Sequence, residues 1–428
     1  MRKTSLVFVG AALGAALTMV ATQSFLVGSG ADAKTVAKPD VYRLLNLFGD
    51  AFEQVRSHYV ERPNDGKLVQ TAINGMLADL EDSYFIDAQA LARNDACSGP
   101  RCATALGTIG VAYTIQDGLP TVVTPIDDTP AAKAGIMTGD IIARVDDEQM
   151  QGLTYQQFGA KLAGEVGSTV KLTIARLGRD KPLEISVVRD NATRRSVRAR
   201  GEGGDIGYIR IIQFNESTAD QLKKAVDDIA AQIPPEKLKG YVIDLRNNPG
   251  GMLDGAIAAA DGFLDDGEIV SIRHRSSDKV ERLRAKAGDL ANGKPIVVLI
   301  NGGSAAKAEI VAGALKDNHR GTVVGTRSFG EGWDSTTVPL GPGKGALRLA
   351  TGHYITPSGR LIQSNGIVPD VEAPQDVPDA LKVKAAAKTK DKDQPALQSY
   401  IPPDPNADKA LTAAYALLRK NVADAHAR

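Results

Sequence analysis

Hydrophobic residues recur at helical spacing near the beginning of the chain. The spacing is carried by Val41, Leu44, Leu45, Phe48, Phe52 and Val55. Because one face of an α-helix repeats every three to four residues, this pattern predicts a helix from Asp40 to Tyr59. A second pattern of the same kind runs from Lys67 to Leu80. We therefore expect a helical N-terminal region over residues 40–95.

The pattern changes twice further along the chain. Residues 106–190 contain short apolar runs separated by turn residues, which is typical of a small β-rich domain. Beyond residue 200, apolar runs alternate with helical patterns, which favours a layered α/β core over residues 200–372. The fold class is therefore a multi-domain combination of α+β and α/β. The composition of residues 374–428 predicts a polar tail, which could include a short helix.

Two strand-to-helix turns stand out in the predicted core. A buried strand from Tyr241 to Leu245 runs through Asn-Asn-Pro-Gly-Gly into a helix from Met252 to Phe263. The strand from Ile296 to Ile300 runs through Asn-Gly-Gly into a helix over Ala305 to Lys316. Ligand sites of α/β cores gather where strands end at helix N-termini, so we expect the site at these two turns.

The first 33 residues differ in composition from the rest of the chain. Arg2 and Lys3 precede an uncharged stretch from Thr4 to Ala31, which is followed by Ala31-Asp32-Ala33. This is the order of regions in a secretory signal, and the apolar run is also long enough to remain as a membrane anchor. Either alternative predicts an exported protein that touches the membrane only through this segment.

Charge and cysteine content narrow the list of partners. The 51 basic and 51 acidic residues balance, so no overall field favours nucleic acid. No histidines stand at metal-ligand spacing, and neither a metal nor a cofactor is expected. Cys97 and Cys102 flank Ser-Gly-Pro-Arg, and export would permit a disulfide between them. Two free thiols are the alternative.

Residues 107–190 resemble a PDZ domain. Gly107-Thr-Ile-Gly-Val-Ala112 is similar to its carboxylate-binding loop, and Pro125 to Gly135 and Thr138 to Ile142 match its central strand, short helix and turn. The resemblance implies that backbone N–H groups of Thr108, Ile109, Gly110 and Val111 hold the C-terminal carboxylate of a peptide. Phe158 and Leu162 share a helical face and would line the groove, unless they pack in the core.

The segment from Asn301 to Asp317 resembles the nucleophile segment of the C-terminal-processing (tail-specific) serine peptidases. That family places its serine where this chain has Ala306, and its general-base lysine where this chain has Glu331. A serine–lysine mechanism needs a hydroxyl to attack and an amine to accept the proton, so both reactive groups are missing. The resemblance extends over about residues 40–372 and implies a periplasmic or cell-envelope protein of bacteria.

Other parts of the family's site have counterparts. Gly250 and Gly251 correspond to glycines whose N–H groups stabilise an oxyanion. Ser304 and Lys307 have the Ser-x-x-Lys spacing of another serine enzyme class, so a displaced dyad is one alternative. In the other, Ser304 caps a helix while Glu331 pairs with Lys307 and Trp333 fills the vacated cleft.

Together these features predict a tail-specific peptidase homologue that binds C-terminal peptides and has lost catalysis. It would act as a scaffold or regulator, with an active peptidase relative as a second kind of partner. The alternative is a serine endopeptidase for C-terminal processing that uses Ser304 with Lys307.

Overall fold

The computed structural model describes residues 38–96, 107–176, 179, 181–190, 196–275, 280–378 and 398–426. The predicted signal or anchor, Cys97 and Cys102 lie outside these residues. Among the described helices, none is both apolar enough and long enough to cross a bilayer. The chain divides into two compact units, residues 1–70 and 71–428.

Both predicted N-terminal helices are present. Helix α1 spans Lys38–His58 and α2 spans Asp65–Leu77, each with an aspartate in its first turn. A short strand β1, Tyr84–Ile86, and helix α3, Ala88–Ala96, complete this region. Most of the large apolar side chains of α1, including Leu44 and Phe48, are exposed.

The β-rich domain is a small sheet closed by two helices. Its strands and helices are β2 (Val111–Gln116), β3 (Leu119–Pro125), α4 (Pro130–Lys133), β4 (Ile141–Val145), β5 (Glu148–Gln149), α5 (Tyr155–Leu162), β6 (Thr169–Ala175) and β7 (Leu183–Val188). The strand order is β2-β3-β4-β6-β7, with β5 paired to β4, so β2 lies at one edge. Thr154 caps α5 by accepting the N–H of Gln157, whose side chain accepts the N–H of Thr154 in return.

The α/β core is built on a six-stranded sheet of order β17-β14-β13-β10-β9-β8. Its elements are β8 (Val197–Glu202), β9 (Ile206–Ile211), α6 (Thr218–Gln232), β10 (Gly240–Asp244), α7 (Leu253–Asp261), β13 (Ile296–Ile300), α8 (Lys307–Asp317), β14 (Gly321–Gly325) and β17 (Val371–Glu372). All neighbouring pairs except β8 and β9 are parallel. The predicted strand-to-helix units are confirmed.

Both faces of this sheet are covered, which explains why its strands are continuous apolar runs. Tyr241 and Ile243 point to the face covered by α6, α7 and α8, whereas Val242 points to the other face. That second face is covered by helix α9, Lys409–His426, through buried residues that include Leu411 and Leu418. The predicted short helix is therefore a full element of the core rather than part of a polar tail.

A third sheet lies beside the core. It consists of β1 with β11 (Glu268–His274), β12 (Val280–Arg284), β15 (Trp333–Pro339) and β16 (Ala346–Ile355). The order is β1-β16-β11-β12, and β15 pairs with the other edge of β16. Because β1 pairs with β16, it brings the segment around Tyr84 next to Arg348.

A buried charge network joins the domains. Asp244 at the end of β10 is fully buried and accepts hydrogen bonds from Arg210, at 2.5 Å, and from Arg246, at 2.7 Å. Arg210 also donates to Asp127 of the β-rich domain, and Arg246 donates to Asp408, which precedes α9. Although burial opposes ionisation, the two guanidinium groups hold the pKa of Asp244 well below its usual value.

We expect Asp244→Ala to lower the free energy of unfolding by about 3 to 5 kcal/mol, because it leaves two buried guanidinium groups without their shared partner. Asp227→Ala is the matched control, since Asp227 pairs with Lys223 on the exposed side of α6. That change should cost less than about 1 kcal/mol. Urea unfolding of both variants measures the difference, and equal losses would contradict the assigned role.

Candidate functional site

Ala306 occupies a strained turn at the start of α8. Its backbone has φ 49° and ψ −113°, a conformation that residues with a side chain rarely adopt. Its side chain is buried, and its N–H donates to the Glu309 carboxylate at 3.0 Å. Such turns expose a nucleophile in other hydrolases, but a methyl group offers no reactive atom here.

The Glu309 carboxylate holds this turn against the loop that carries Glu331. Besides the Ala306 N–H, it accepts the hydroxyl of Ser328 at 2.5 Å and the N–H groups of Gly330 and Glu331 at 2.8 Å each. Burial raises the pKa of Glu309 to about 7, although these four donors favour the ionised form. One buried side chain therefore brings the two substituted positions into one site.

Glu331 and Lys307 carry opposite charges in this site. Burial, followed by the nearby Asp82 carboxylate, raises the pKa of Glu331 to about 7, and Lys307 and Arg348 oppose that shift. Burial lowers the pKa of Lys307, against the attraction of Glu331. Within the described part of the chain, no ion pair or hydrogen bond shorter than 4.0 Å joins the two groups. The hypothesised direct ion pair is therefore not formed, although each of the two charges affects the pKa of the other.

Aromatic rings form the walls around these charges. The Lys307 Nζ lies 5.0 Å from the centroid of the Tyr354 ring, which is within reach of a cation–π interaction. For Trp333, filling of the cleft beside Ala306 stays a prediction. Its ring packs on His353 at 4.3 Å, and its N–H donates to Glu81 at 3.0 Å. Trp333 lines an open cleft together with Leu80, Glu81 and Leu349.

Ser304 is fully buried, and its hydroxyl is hydrogen-bonded. Its hydroxyl donates to the Leu245 carbonyl at 2.9 Å and accepts the Asn301 N–H at 3.0 Å. These bonds fix the turn after β13 to the end of β10. The predicted capping role is wrong, because α8 begins at Lys307, three residues later, and Ala306 stands at its N-cap position.

The backbone conformation at positions 250 and 251 requires glycine. Both have positive φ, 98° and 125°, and a Cβ on Gly251 would lie 2.2 Å from the carbonyl oxygen of Phe214. The predicted oxyanion role does not hold for Gly250 in this structure, since its N–H donates to the Asn248 side chain at 2.8 Å. For Gly251 the role stays a prediction.

Part of the candidate carboxylate-binding loop already donates hydrogen bonds within the β-rich domain. The N–H groups of Gly107 and Thr108 donate to the carbonyls of Gly164 and Asp190, so Thr108 is not a free donor as predicted. Gly110 has φ 77° and its N–H lies 3.4 Å from the Thr108 hydroxyl, a weak contact. The part of the loop left for a ligand is Ile109 to Val111.

Phe158 and Leu162 pack in the core of this domain, with 0% and 3% exposure. The core-packing alternative therefore describes both residues, and neither lines an open groove here. The space between β2 and α5 is occupied by Tyr113, whose hydroxyl donates to the Tyr155 carbonyl at 3.0 Å. Its ring stacks on Tyr155 at 4.4 Å and meets Phe158 edge-on at 4.7 Å.

Two structural roles were not foreseen from the sequence. A glutamate three residues into a helix is a known capping signal, so the link between Glu309 and Ala306 was open to prediction. Its bonds to Ser328 and Gly330 join positions about twenty residues apart and left no local signal. Tyr113 and Tyr155 are 42 positions apart, and no pattern indicated their contact.

We expect Ala306→Gly to raise the free energy of unfolding by about 1 kcal/mol, because glycine adopts this conformation without steric strain. Ala308→Gly, inside α8, is the control and should lower it by about the same amount. Thermal and urea unfolding measure both. A loss of stability in Ala306→Gly equal to that of the control would show that position 306 is unstrained.

Comparisons with known proteins agree with this geometry. Residues 205–373 match the model of peptidase family S41, and residues 107–187 match that of the PDZ domain. The carboxy-terminal-processing protease of Bartonella bacilliformis is 46% identical over 400 residues, which cover 90% of this chain and 91% of that protein. The carboxy-terminal processing protease CtpA of Bacillus subtilis is 31% identical over 382 residues, covering 88% and 78%.

A solved structure is similar as well. The photosystem II D1 C-terminal processing protease has a TM-score of 0.64 and 26% identity, and the match covers 77% of this chain and 92% of that chain. The identity and coverage of the Bartonella relative extend across both domains. The chain therefore belongs to peptidase family S41, as a PDZ-containing member related to the carboxy-terminal-processing proteases.

Proposed function

We propose that this protein is an exported family member that binds C-terminal peptides through its PDZ domain and does not cleave them. It would act as a scaffold or regulator, with an active peptidase relative as a further partner in the bacterial periplasm or cell envelope. The observation that carries the proposal is Ala306, which stands at the strained turn of α8 without a nucleophile.

The environment of Glu331 supports the loss of catalysis. A base in this place must accept a proton from a nucleophile and then release it. Burial raises the pKa of Glu331 to about 7, which would suit a base. Glu331 belongs, however, to a loop that the Glu309 carboxylate ties to Ala306, where there is no hydroxyl to deprotonate. A base without a nucleophile cannot start acyl transfer.

The second candidate is a working endopeptidase with Ser304 and Lys307. The lowered pKa of Lys307, caused by burial, suits a general base. Ser304 argues against this function, because its hydroxyl is fully buried and donates to the Leu245 carbonyl. Attack on a substrate would require that bond to break and the turn after β13 to rearrange. We therefore favour the function without catalysis.

Peptide binding is proposed from the PDZ domain. Strand β2 lies at the edge of its sheet, so a ligand strand has an edge to extend once Tyr113 moves from α5. Ile109 to Val111 stand at the start of this edge, where the positive φ of Gly110 turns successive backbone groups toward one side.

We expect the unmodified protein to leave a disordered substrate such as casein intact. The double variant Ala306→Ser with Glu331→Lys should recover slow cleavage, because it returns a hydroxyl and an amine to the turns that Glu309 holds together. Each single variant should cleave almost nothing, since residues of a catalytic unit act together. Gel electrophoresis and mass spectrometry of the fragments measure the outcome.

Ser304→Ala in the unmodified background is the control for the alternative. If the unmodified protein cleaves casein and this variant does not, the displaced dyad is correct and the proposed function is wrong.

A peptide with a free C-terminal carboxylate should bind at least about tenfold more tightly than its C-terminal amide, a difference of about 1.4 kcal/mol. The reason is that backbone N–H groups near Gly110 favour an anion. Isothermal titration calorimetry with matched peptides measures the ratio. Equal affinities would refute carboxylate recognition by this loop.

A further inference from the structure

A cavity lies beside the C-terminal end of β2, whereas the candidate carboxylate-binding loop lies at the start of this strand. Its volume of about 420 Å³ falls within the range of ligand pockets in proteins. The PDZ domain contributes the end of β2, with Thr114 and Ile115, and the start of α5, with Leu153 and Tyr155. The cavity therefore continues the groove between β2 and α5.

The helical N-terminal region also lines this cavity. It contributes Gly75 and Leu77 at the end of α2, Leu80 after this helix, and Tyr84 at the start of β1. Leu77 is 7% exposed, whereas Leu80 is 51% exposed. Apolar surface is therefore left for a ligand to cover.

Stacked tyrosine rings connect the groove to the cavity. The Tyr155 ring stacks on Tyr113 at a centroid distance of 4.4 Å and on Tyr84 at 5.0 Å. Tyr113 fills the groove, whereas Tyr84 and Tyr155 line the cavity. A ligand strand that displaces Tyr113 would therefore reach the cavity next to Tyr155.

The register of a bound strand indicates which ligand residue enters the cavity. A ligand whose carboxylate lies at the start of β2 must run antiparallel to this strand. With its last residue opposite Val111, its third residue from the C-terminus lies opposite Tyr113 and its fifth opposite Ile115. Because side chains alternate between the two faces of a strand, these three ligand side chains share one face. The fifth residue from the C-terminus therefore faces the cavity.

The charges around the cavity favour an uncharged side chain. Among the described residues that line it, Asp82 is the only charged one, and its carboxylate already accepts the hydroxyl of a serine in β15. Burial raises the pKa of Tyr155 to about 12; neighbouring acidic groups, among them Glu331, add to this shift, and Arg348 opposes it. An acidic ligand side chain is therefore disfavoured. A basic one would find a single carboxylate that is already hydrogen-bonded, whereas an apolar one would find several aliphatic and aromatic contacts.

We propose that this cavity is a specificity pocket for an apolar side chain at the fifth residue from the C-terminus of the bound peptide. An aliphatic or aromatic ligand side chain packs on Leu80, Leu153 and the Tyr84 ring. Covering apolar surface of both partners favours binding. The pocket rests on the proposed function, since it selects among peptides whose carboxylate the loop near Gly110 binds.

The experiment uses free-acid peptides that are identical except for Leu, Ala, Lys or Asp at the fifth residue from the C-terminus. Gly75→Phe adds a ring to a helical lining residue, where a Cβ would have no heavy atom within 4 Å. Gly49→Phe is the matched control, because Gly49 has equally open surroundings in α1 and does not line the cavity. Leu80→Ala removes an apolar contact from the lining. Isothermal titration calorimetry measures each affinity, and thermal unfolding establishes that each variant is folded.

We expect the Leu peptide to bind the unmodified protein at least about fivefold more tightly than the Ala peptide, because it buries more apolar surface. The Lys and Asp peptides should bind no more tightly than the Ala peptide. Gly75→Phe should reduce the ratio of the Leu and Ala affinities because it fills the cavity, and Leu80→Ala should reduce it because it removes part of the wall. Gly49→Phe should leave the ratio unchanged.

Equal binding of the Leu and Ala peptides overturns the pocket, and so does tighter binding of the Lys or Asp peptide than of the Leu peptide. A ratio that neither cavity variant changes also overturns it, since the preference would then arise elsewhere. The proposed function is tested separately by the Ala peptide and its C-terminal amide. If these two bind equally, the proposed function fails, whatever the fifth residue contributes.

Discussion

The site depends on one buried carboxylate. Glu309 accepts four hydrogen bonds, one from the turn at Ala306 and three from the loop that includes Ser328, Gly330 and Glu331. A buried carboxylate needs these donors to offset its desolvation, and the two segments need the carboxylate because their N–H groups have turned away from regular secondary structure. Glu309 therefore links the start of α8 to the loop before β15.

This constraint explains how the scaffold persists without the family's chemistry. The bonds of Glu309 go to backbone N–H groups and to Ser328, so they do not depend on which side chains stand at positions 306 and 331. The strained φ of Ala306 is maintained by the same bonds, although strain of this kind normally accompanies function. The geometry of the turn and the loop is therefore compatible with alanine at position 306 and glutamate at position 331.

The side chains that replaced the reactive groups changed the electrostatics of the cleft. Glu331 places an acidic group in the loop that Glu309 holds, and Lys307 places a cation one residue after Ala306. Burial disfavours the charged form of both groups, since it lowers the pKa of Lys307 and raises that of Glu331. In the PDZ domain, Tyr113 fills the space between β2 and α5, so binding there requires a side chain to move.

The sequence by itself determined the succession of domains, the strand-to-helix turns and the absence of a serine at Ala306. These depend on local periodicity, on glycines that few other residues can replace and on the identity of single residues. It did not determine that Ser304 is buried, that Phe158 and Leu162 pack in a core, or that α9 covers the second face of the sheet. Only the tertiary structure decided these points, together with the bonds of Glu309. The reason is that burial and hydrogen-bond partners arise from contacts between segments far apart in the chain. No local sequence pattern specifies which distant group makes such a contact.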